Sequence, residues 1–135
     1  MFTYKHRVQF YETDLMGIVH HTNYLRFCEE ARVAWAHSVG LIDYQKPHSA
    51  SQFAVYETRV KHYKPALFGQ DLEIDLEVKR HGIRICFQYR VRLGASVLAF
   101  VQTTHVPMGE DLKITKMPES MKKILEGESW TEIWP

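Results

Sequence analysis

One change of hydrophobic period constrains this chain more than any other feature. From Tyr24 to Val39, Tyr24, Leu25, Cys28, Ala31, Arg32, Trp35, Ala36 and Val39 follow helical spacing, and Phe27 and Ala34 widen the apolar stripe. A helix this apolar has to be covered on more than one side. Thr22 or Asn23 is placed to cap its start, and Gly40 suits the residue that stops it. The long runs on either side read with a period of two. Thr3 to Phe10 alternates Tyr4, His6, Val8 and Phe10 with Lys5, Arg7 and Gln9. Gln52 to His62 is a β-rich run closed by Lys64-Pro65, after a loop containing Pro47 and several Ser and His residues. Leu72 to Val78 and Ile83 to Leu93 alternate cleanly, with a tight turn at His81-Gly82 and a hairpin signal at Gly94-Ala95. Val97 to Val106 returns as a largely apolar strand, and Pro118 opens a short helix through Leu125 before a tail. Strand, long helix, then four strands joined mainly by hairpins predicts an α+β domain. In it a mostly antiparallel sheet of about five strands curls around one helix.

Composition narrows the function classes. A chain of 135 residues suits one domain spanning 1–135, and an apolar fraction of 45% supplies a core without metal or disulfide staples. Lys and Arg number 17 against 16 Asp and Glu, so no global field favours nucleic acid. Cys28 and Cys86 form no CxxC pair and read as small buried hydrophobes. No apolar run approaches a membrane span and no leader is evident, so a cytoplasmic protein is expected. Neither a phosphate-binding glycine loop nor a G-x-S-x-G elbow occurs.

The chemistry concentrates in Phe10 to Arg32, FYETDLMGIVHHTNYLRFCEEAR. Thr13, Asp14, Gly17, Ile18, Val19, His21, Asn23, Tyr24, Leu25, Phe27, Glu29, Ala31 and Arg32 stand at fixed offsets, followed later by His62-Tyr63-Lys64-Pro65-Ala66. This pattern resembles the hotdog-fold acyl-CoA thioesterases of the 4-hydroxybenzoyl-CoA thioesterase and YbgC-like branch. The resemblance implies a hotdog domain that hydrolyses an acyl-CoA to free acid and CoA, with Asp14 as the catalytic carboxylate. It implies a homodimer with sheets joined edge to edge, often a homotetramer, and an active site at the subunit interface. It also picks His21, seven residues after the aspartate, as the source of the oxyanion N–H. One departure is Phe10, where many relatives carry Tyr.

Residue types support the same chemistry. A thiol leaving group has a pKa near about 8.5, so it departs as thiolate without a strong general acid. One carboxylate and one oxyanion donor then suffice, and no metal or redox cofactor is needed, coenzyme A being part of the substrate. Asp14 can attack the carbonyl or activate a water. Backbone N–H groups at the start of the long helix can hold the oxyanion. Gly17 permits a tight turn or close approach of the acyl group. Ile18, Val19, Asn23, Tyr24, Tyr63 and Lys64 are the expected substrate-binding residues near this segment. Lys79, Arg80 and Arg84 are expected to meet CoA phosphates, with the face shared by Arg84, Arg90 and Arg92 as a second candidate. Tyr24, Phe53, Tyr56 and Tyr63 can line an acyl pocket. Glu29 and Arg32 read as a helix-surface ion pair. Two other readings stay open. One is a hotdog dehydratase on acyl carrier protein substrates, pairing His20 or His21 with Glu29 or Glu30. The other is a non-catalytic acyl-CoA binding module.

Overall fold

The computed structural model describes residues 1–46 and 52–135, so the predicted loop at Pro47 lies largely outside the described residues. Five strands form one antiparallel sheet: β1 (Phe2–Arg7), β2 (Gln52–His62), β3 (Asp71–His81), β4 (Arg84–Leu93) and β5 (Ser96–Met108). Their order across the sheet is β1-β3-β4-β5-β2. The long helix α1 (Asn23–Ser38) lies against one face, and α2 (Glu119–Glu126) follows β5. The α+β fold expected from the pattern is the fold observed.

Alternation decides which side chains meet α1. Leu72, Ile74, Leu76 and Val78 of β3, with Ile85, Phe87, Tyr89 and Val91 of β4, turn inward and are buried. Tyr24, Phe27, Cys28, Ala31 and Trp35 of α1 complete the core. Taking each large apolar side chain out of water contributes about 1.5–3 kcal/mol. Burial also pushes the Cys28 thiol up, which agrees with an inert core cysteine. The hairpins are tight: Gly82 and Ile83 join β3 to β4, and Gly94 and Ala95 join β4 to β5, each led by a glycine of positive φ. At the other end of α1, Gly40 takes φ +82° beyond the last turn, as a stop residue should.

Three expectations need correction. The first strand ends at Arg7, and Phe10–Glu12 forms a one-turn 3-10 helix instead. The buried Glu12 carboxylate causes this by accepting the Gln9 N–H at 2.7 Å, which curls the chain back on itself. Glu29 does not pair with Arg32. Arg32 turns inward and donates to the Tyr89 hydroxyl at 3.0 Å. Nor is the C-terminal segment a loose tail.

Residues 128–135 form a strap: Glu128 accepts the Trp35 indole N–H of α1 at 3.1 Å, and residues 130–135 cross the sheet face opposite α1. Thr131 donates its N–H and hydroxyl to the buried Glu77 carboxylate, and the Trp134 N–H donates to Gln88 Oε1 at 3.1 Å. Gln88 in turn donates to Glu132 at 2.7 Å. Lys79 sits over the Trp130 ring at 4.3 Å and Arg59 over the Trp134 ring at 4.6 Å. Hydrogen bonds to a charged partner each contribute about 1.5–3 kcal/mol, and cation–π contacts about 0.5–1. Truncation after Gly127 should therefore lower unfolding stability by roughly 2–3 kcal/mol, allowing for water that resolvates Glu77. Urea denaturation of the shortened chain checks this, and an unchanged midpoint would mean the strap adds nothing.

Beside the strap, the Asp75 carboxylate accepts from Thr3, Arg90 and Arg92 at 2.7–3.2 Å. Burial pushes its pKa up, but the hydrogen bonds from Arg92, Thr3 and Arg90 outweigh that and hold it below the usual carboxylate range. Arg92 also pairs with Glu73 at 2.7 Å. Arg90 and Arg92 are thus engaged by carboxylates of the sheet itself.

Candidate active site

The segment between β1 and α1 is built as a small clasp. The Asp14 N–H donates to the Ile18 carbonyl at 2.9 Å, and Thr13 bridges Val19. At the tip, the Gly17 N–H closes a turn onto the Asp14 carbonyl at 2.9 Å, with Gly17 at φ +76°. That left-handed conformation explains the glycine. The return arm is sewn to the segment after β2: the Val19 N–H donates to the Ala66 carbonyl at 2.9 Å, and Ile18 bridges Leu67. Tyr24 closes the seam, its hydroxyl accepting the Ala66 N–H at 3.2 Å. Asp14 is thereby held against residues 62–65, although almost fifty residues of chain separate them.

The result is an open cleft of about 440 Å3 lined by Asp14, Met16, Ile18, Val19, His21, Tyr24, His62, Tyr63, Lys64 and Pro65. Asp14 Oδ1 accepts the Met16 N–H at 2.8 Å, which orients the carboxylate, while Oδ2 has no protein partner among the described residues. At the start of α1 the N–H groups of His20, Thr22, Asn23 and Tyr24 all find acceptors. The His21 N–H finds none among the described residues, and no side chain caps the helix there. A free donor at a helix N-terminus and a free carboxylate oxygen thus share one cleft. His62 brings an imidazole whose pKa is lowered by burial and by neighbouring His21, and its ring meets that of Tyr24 at 5.0 Å. His62 was visible in the sequence only as part of a strand end. Its place in the cleft follows from the β2 terminus meeting the clasp.

Asn23 is not in the cleft. It is buried and donates from Nδ2 to the Glu12 carbonyl at 2.8 Å, so it braces the clasp from behind. Glu12 carries the rest of that brace, its carboxylate meeting His6 Nε2 at 2.8 Å and its carbonyl also accepting the His20 N–H. Sequence reasoning missed Glu12 and His6; an acid two residues before Asp14 on a strand-like run was the only available signal. The capping role expected of Thr22 is likewise unfilled, since its hydroxyl meets His20 Nδ1 at 2.8 Å. Phe10 lies outside the cleft, 75% exposed and edge-on to Phe68.

The cationic hairpin is elsewhere on the chain. Register pairs Ile85 with His105 and Val55 with His105, whereas His62 pairs with Ala99, so Lys79, Arg80 and Arg84 stand at the opposite end of the sheet from Asp14. Arg84 lies over the Tyr56 ring at 4.6 Å, Arg80 is exposed, and Lys79 faces Trp130. Lys64 alone of the expected cations lines the cleft, with its Nζ 3.1 Å from Ser96 Oγ. Among the described residues no cluster of His, Cys, Asp and Glu is arranged to hold a metal ion. Among the described residues no helix is long and apolar enough to cross a membrane.

Comparisons with known proteins agree with this architecture. A relative from Aquifex aeolicus is 35% identical over 127 residues, covering 93% of this chain and 98% of its own. The acyl-CoA thioesterase YbgC of Helicobacter pylori is 32% identical over 73 residues, 54% of this chain and 53% of that protein. Among solved structures, a 1,4-dihydroxy-2-naphthoyl-CoA thioesterase from Synechocystis superposes with a TM-score of 0.81 at 27% identity, over 93% of this chain and 96% of that one. Residues 8–125 match the model of the thioesterase-like superfamily, and the chain belongs to that superfamily.

Proposed function

We propose that Asp14 and the His21 N–H carry out hydrolysis of an acyl-CoA thioester in the clasp cleft. The family makes the chain a hydrolase acting on acyl-CoA thioesters. The observation that supports the finer reading is the pairing, in one cleft, of a carboxylate oxygen and a helix-start N–H that the fold leaves unused. The thioester carbonyl oxygen is received by the His21 N–H, where the helix dipole favours the charge that develops on attack. Asp14 Oδ2 then adds to the carbonyl carbon to give a mixed anhydride, or takes a proton from a water that adds instead. Collapse expels CoA as thiolate. On the anhydride route a water then releases the acid.

The cleft is open on a single chain. An edge-to-edge homodimer along β2 is the assembly that closes it. β2 is an eleven-residue edge strand, largely exposed, and it shows Val55 and Tyr56 to solvent. A long unpaired edge of this kind is a template for pairing. Antiparallel self-pairing sets the Phe53 end of one strand by the His62 end of the other, which carries Arg84 toward the partner's cleft. There it can meet CoA phosphates together with Lys64. Sedimentation equilibrium should return twice the 15.9 kDa chain mass, and a strictly monomeric protein would defeat the edge pairing.

Thiol release from acyl-CoAs with short, medium, long and aromatic acyl groups tests the reaction. Release from any of them supports it. Tight binding with no turnover across the panel would leave the binding-module reading in its place.

A further inference from the structure

Arg32 is a cation that the fold leaves without a counter-ion. It reaches from α1 into a cavity of about 200 Å3 whose apolar walls include Trp35, Ile42, Phe53 and Phe87, with His105 as the other polar group. No carboxylate lines this cavity, and among the described residues none forms an ion pair with Arg32. The undescribed stretch 47–51 contains no acidic residue that could supply one. Of its five N–H donors the guanidinium uses one among the described residues, Nη1 to the Tyr89 hydroxyl at 3.0 Å, with the Phe87 ring 5.9 Å away. The Tyr89 hydroxyl and His105 Nε2 both turn to Thr103 Oγ1 at 3.0 Å, so neither offers Arg32 a negative charge. Its field is felt by these neighbours: burial and then the Arg32 charge hold His105 down at about 4.

Arg32 is half-buried, so water meets the donors that the protein does not use, and an incoming acid would take the place of that water. A guanidinium matches a carboxylate with two parallel hydrogen bonds. A cavity of about 150 Å3 accepts benzene, which makes this one large enough for a single aromatic ring or a short chain. We propose that the Arg32 cavity is a small-molecule site for an acidic oxygen group on an apolar body of about one aromatic ring. The acid sits on Arg32, and the body lies against Phe53, Trp35 and Phe87.

The cavity stands at the Phe53 end of β2. In the edge-paired dimer it therefore opens beside the partner's Asp14, and its occupant is the far end of an acyl group that bears an acid. That identification rests on the thioesterase and dimer readings; the site itself does not.

The test has two arms. In the first, wild type, R32M and R32K are titrated with benzoate and with its neutral counterpart benzamide, followed by amide chemical shifts. Benzoate should bind wild type, weaken at least tenfold in R32M and recover partly in R32K, whereas benzamide should not distinguish the three. Equal benzoate binding by folded wild type and R32M, or no binding by wild type, overturns the site. In the second arm, kcat/KM is compared for glutaryl-CoA and pentanoyl-CoA. A selective loss for glutaryl-CoA of at least tenfold in R32M supports the acyl group as occupant. Loss of benzoate binding without that selectivity supports the site with a free acid as its ligand. Failure of wild type to hydrolyse any ester defeats the thioesterase reading and leaves the first arm to decide the site.

Discussion

Asp14→Asn should lower kcat for thiol release at least ~100-fold, in keeping with the loss of an essential nucleophile or base. The substitution is nearly isosteric and can still accept the Met16 N–H through its amide oxygen, so the clasp keeps its shape. What disappears is the charge on the oxygen that the fold leaves free. KM should change little, because Asp14 sits at the reacting carbonyl and the CoA moiety binds elsewhere. Steady-state thiol release with circular dichroism as the folding control measures both. Equal activity in a folded Asp14→Asn protein would remove Asp14 from the mechanism while leaving the hydrolase intact.

Acid should weaken the fold through His105. Burial and then the nearby Arg32 charge hold its pKa at about 4, against an ordinary value of 6.5. Between those values the unfolded chain binds a proton that the folded chain refuses. The unfolded state then carries more protons, so stability rises with pH through this window and is lost as pH falls from about 6.5 toward 4. A full one-proton difference is about 1.4 kcal/mol per pH unit, or about 3 kcal/mol across the window. Arg32, Tyr89, Thr103 and the Phe87 ring face the imidazole, and none of them is an acid that would offset the effect. His105→Gln keeps a polar partner for Thr103 and removes the titration. Urea midpoints at pH 7 and pH 5 should differ more for wild type than for the variant. The same difference in both proteins would assign the acid sensitivity to carboxylates.

The elements that could be read in the sequence are those decided locally. α1 and the β3–β5 hairpins announce themselves by period, by Gly40 and by Gly94, because helix faces and tight turns depend on near neighbours. The clasp was legible as a motif at fixed offsets, and Asp14, His21, Tyr24, Tyr63 and Lys64 do share one cleft. Partner choice across the fold was not legible. Arg32 stands three residues from Glu29, as an ion pair would, yet the sheet offers a Tyr89 hydroxyl inside the core and Arg32 takes it. Asn23 looked like a ligand for substrate and is instead a brace for Glu12, which only the folded clasp could reveal. Phe10 continued a period of two that Glu12 breaks from two residues away. Lys79, Arg80 and Arg84 clustered in sequence, but strand length carries them to the far end of their own sheet.

The strap has an optical consequence. Of the chain's three tryptophans, Trp35 is buried in the core, while Trp130 and Trp134 ride on residues 128–135 beneath Lys79 and Arg59. All three indoles therefore report on whether the strap lies down: lifting it exchanges a cation and a sheet surface for water at Trp130 and Trp134, and frees the Trp35 indole N–H from Glu128, its acceptor at 3.1 Å. Intrinsic fluorescence of this protein is first a gauge of strap docking and only second a gauge of the core. A melt followed by emission and one followed by backbone dichroism will coincide only if strap and core let go together.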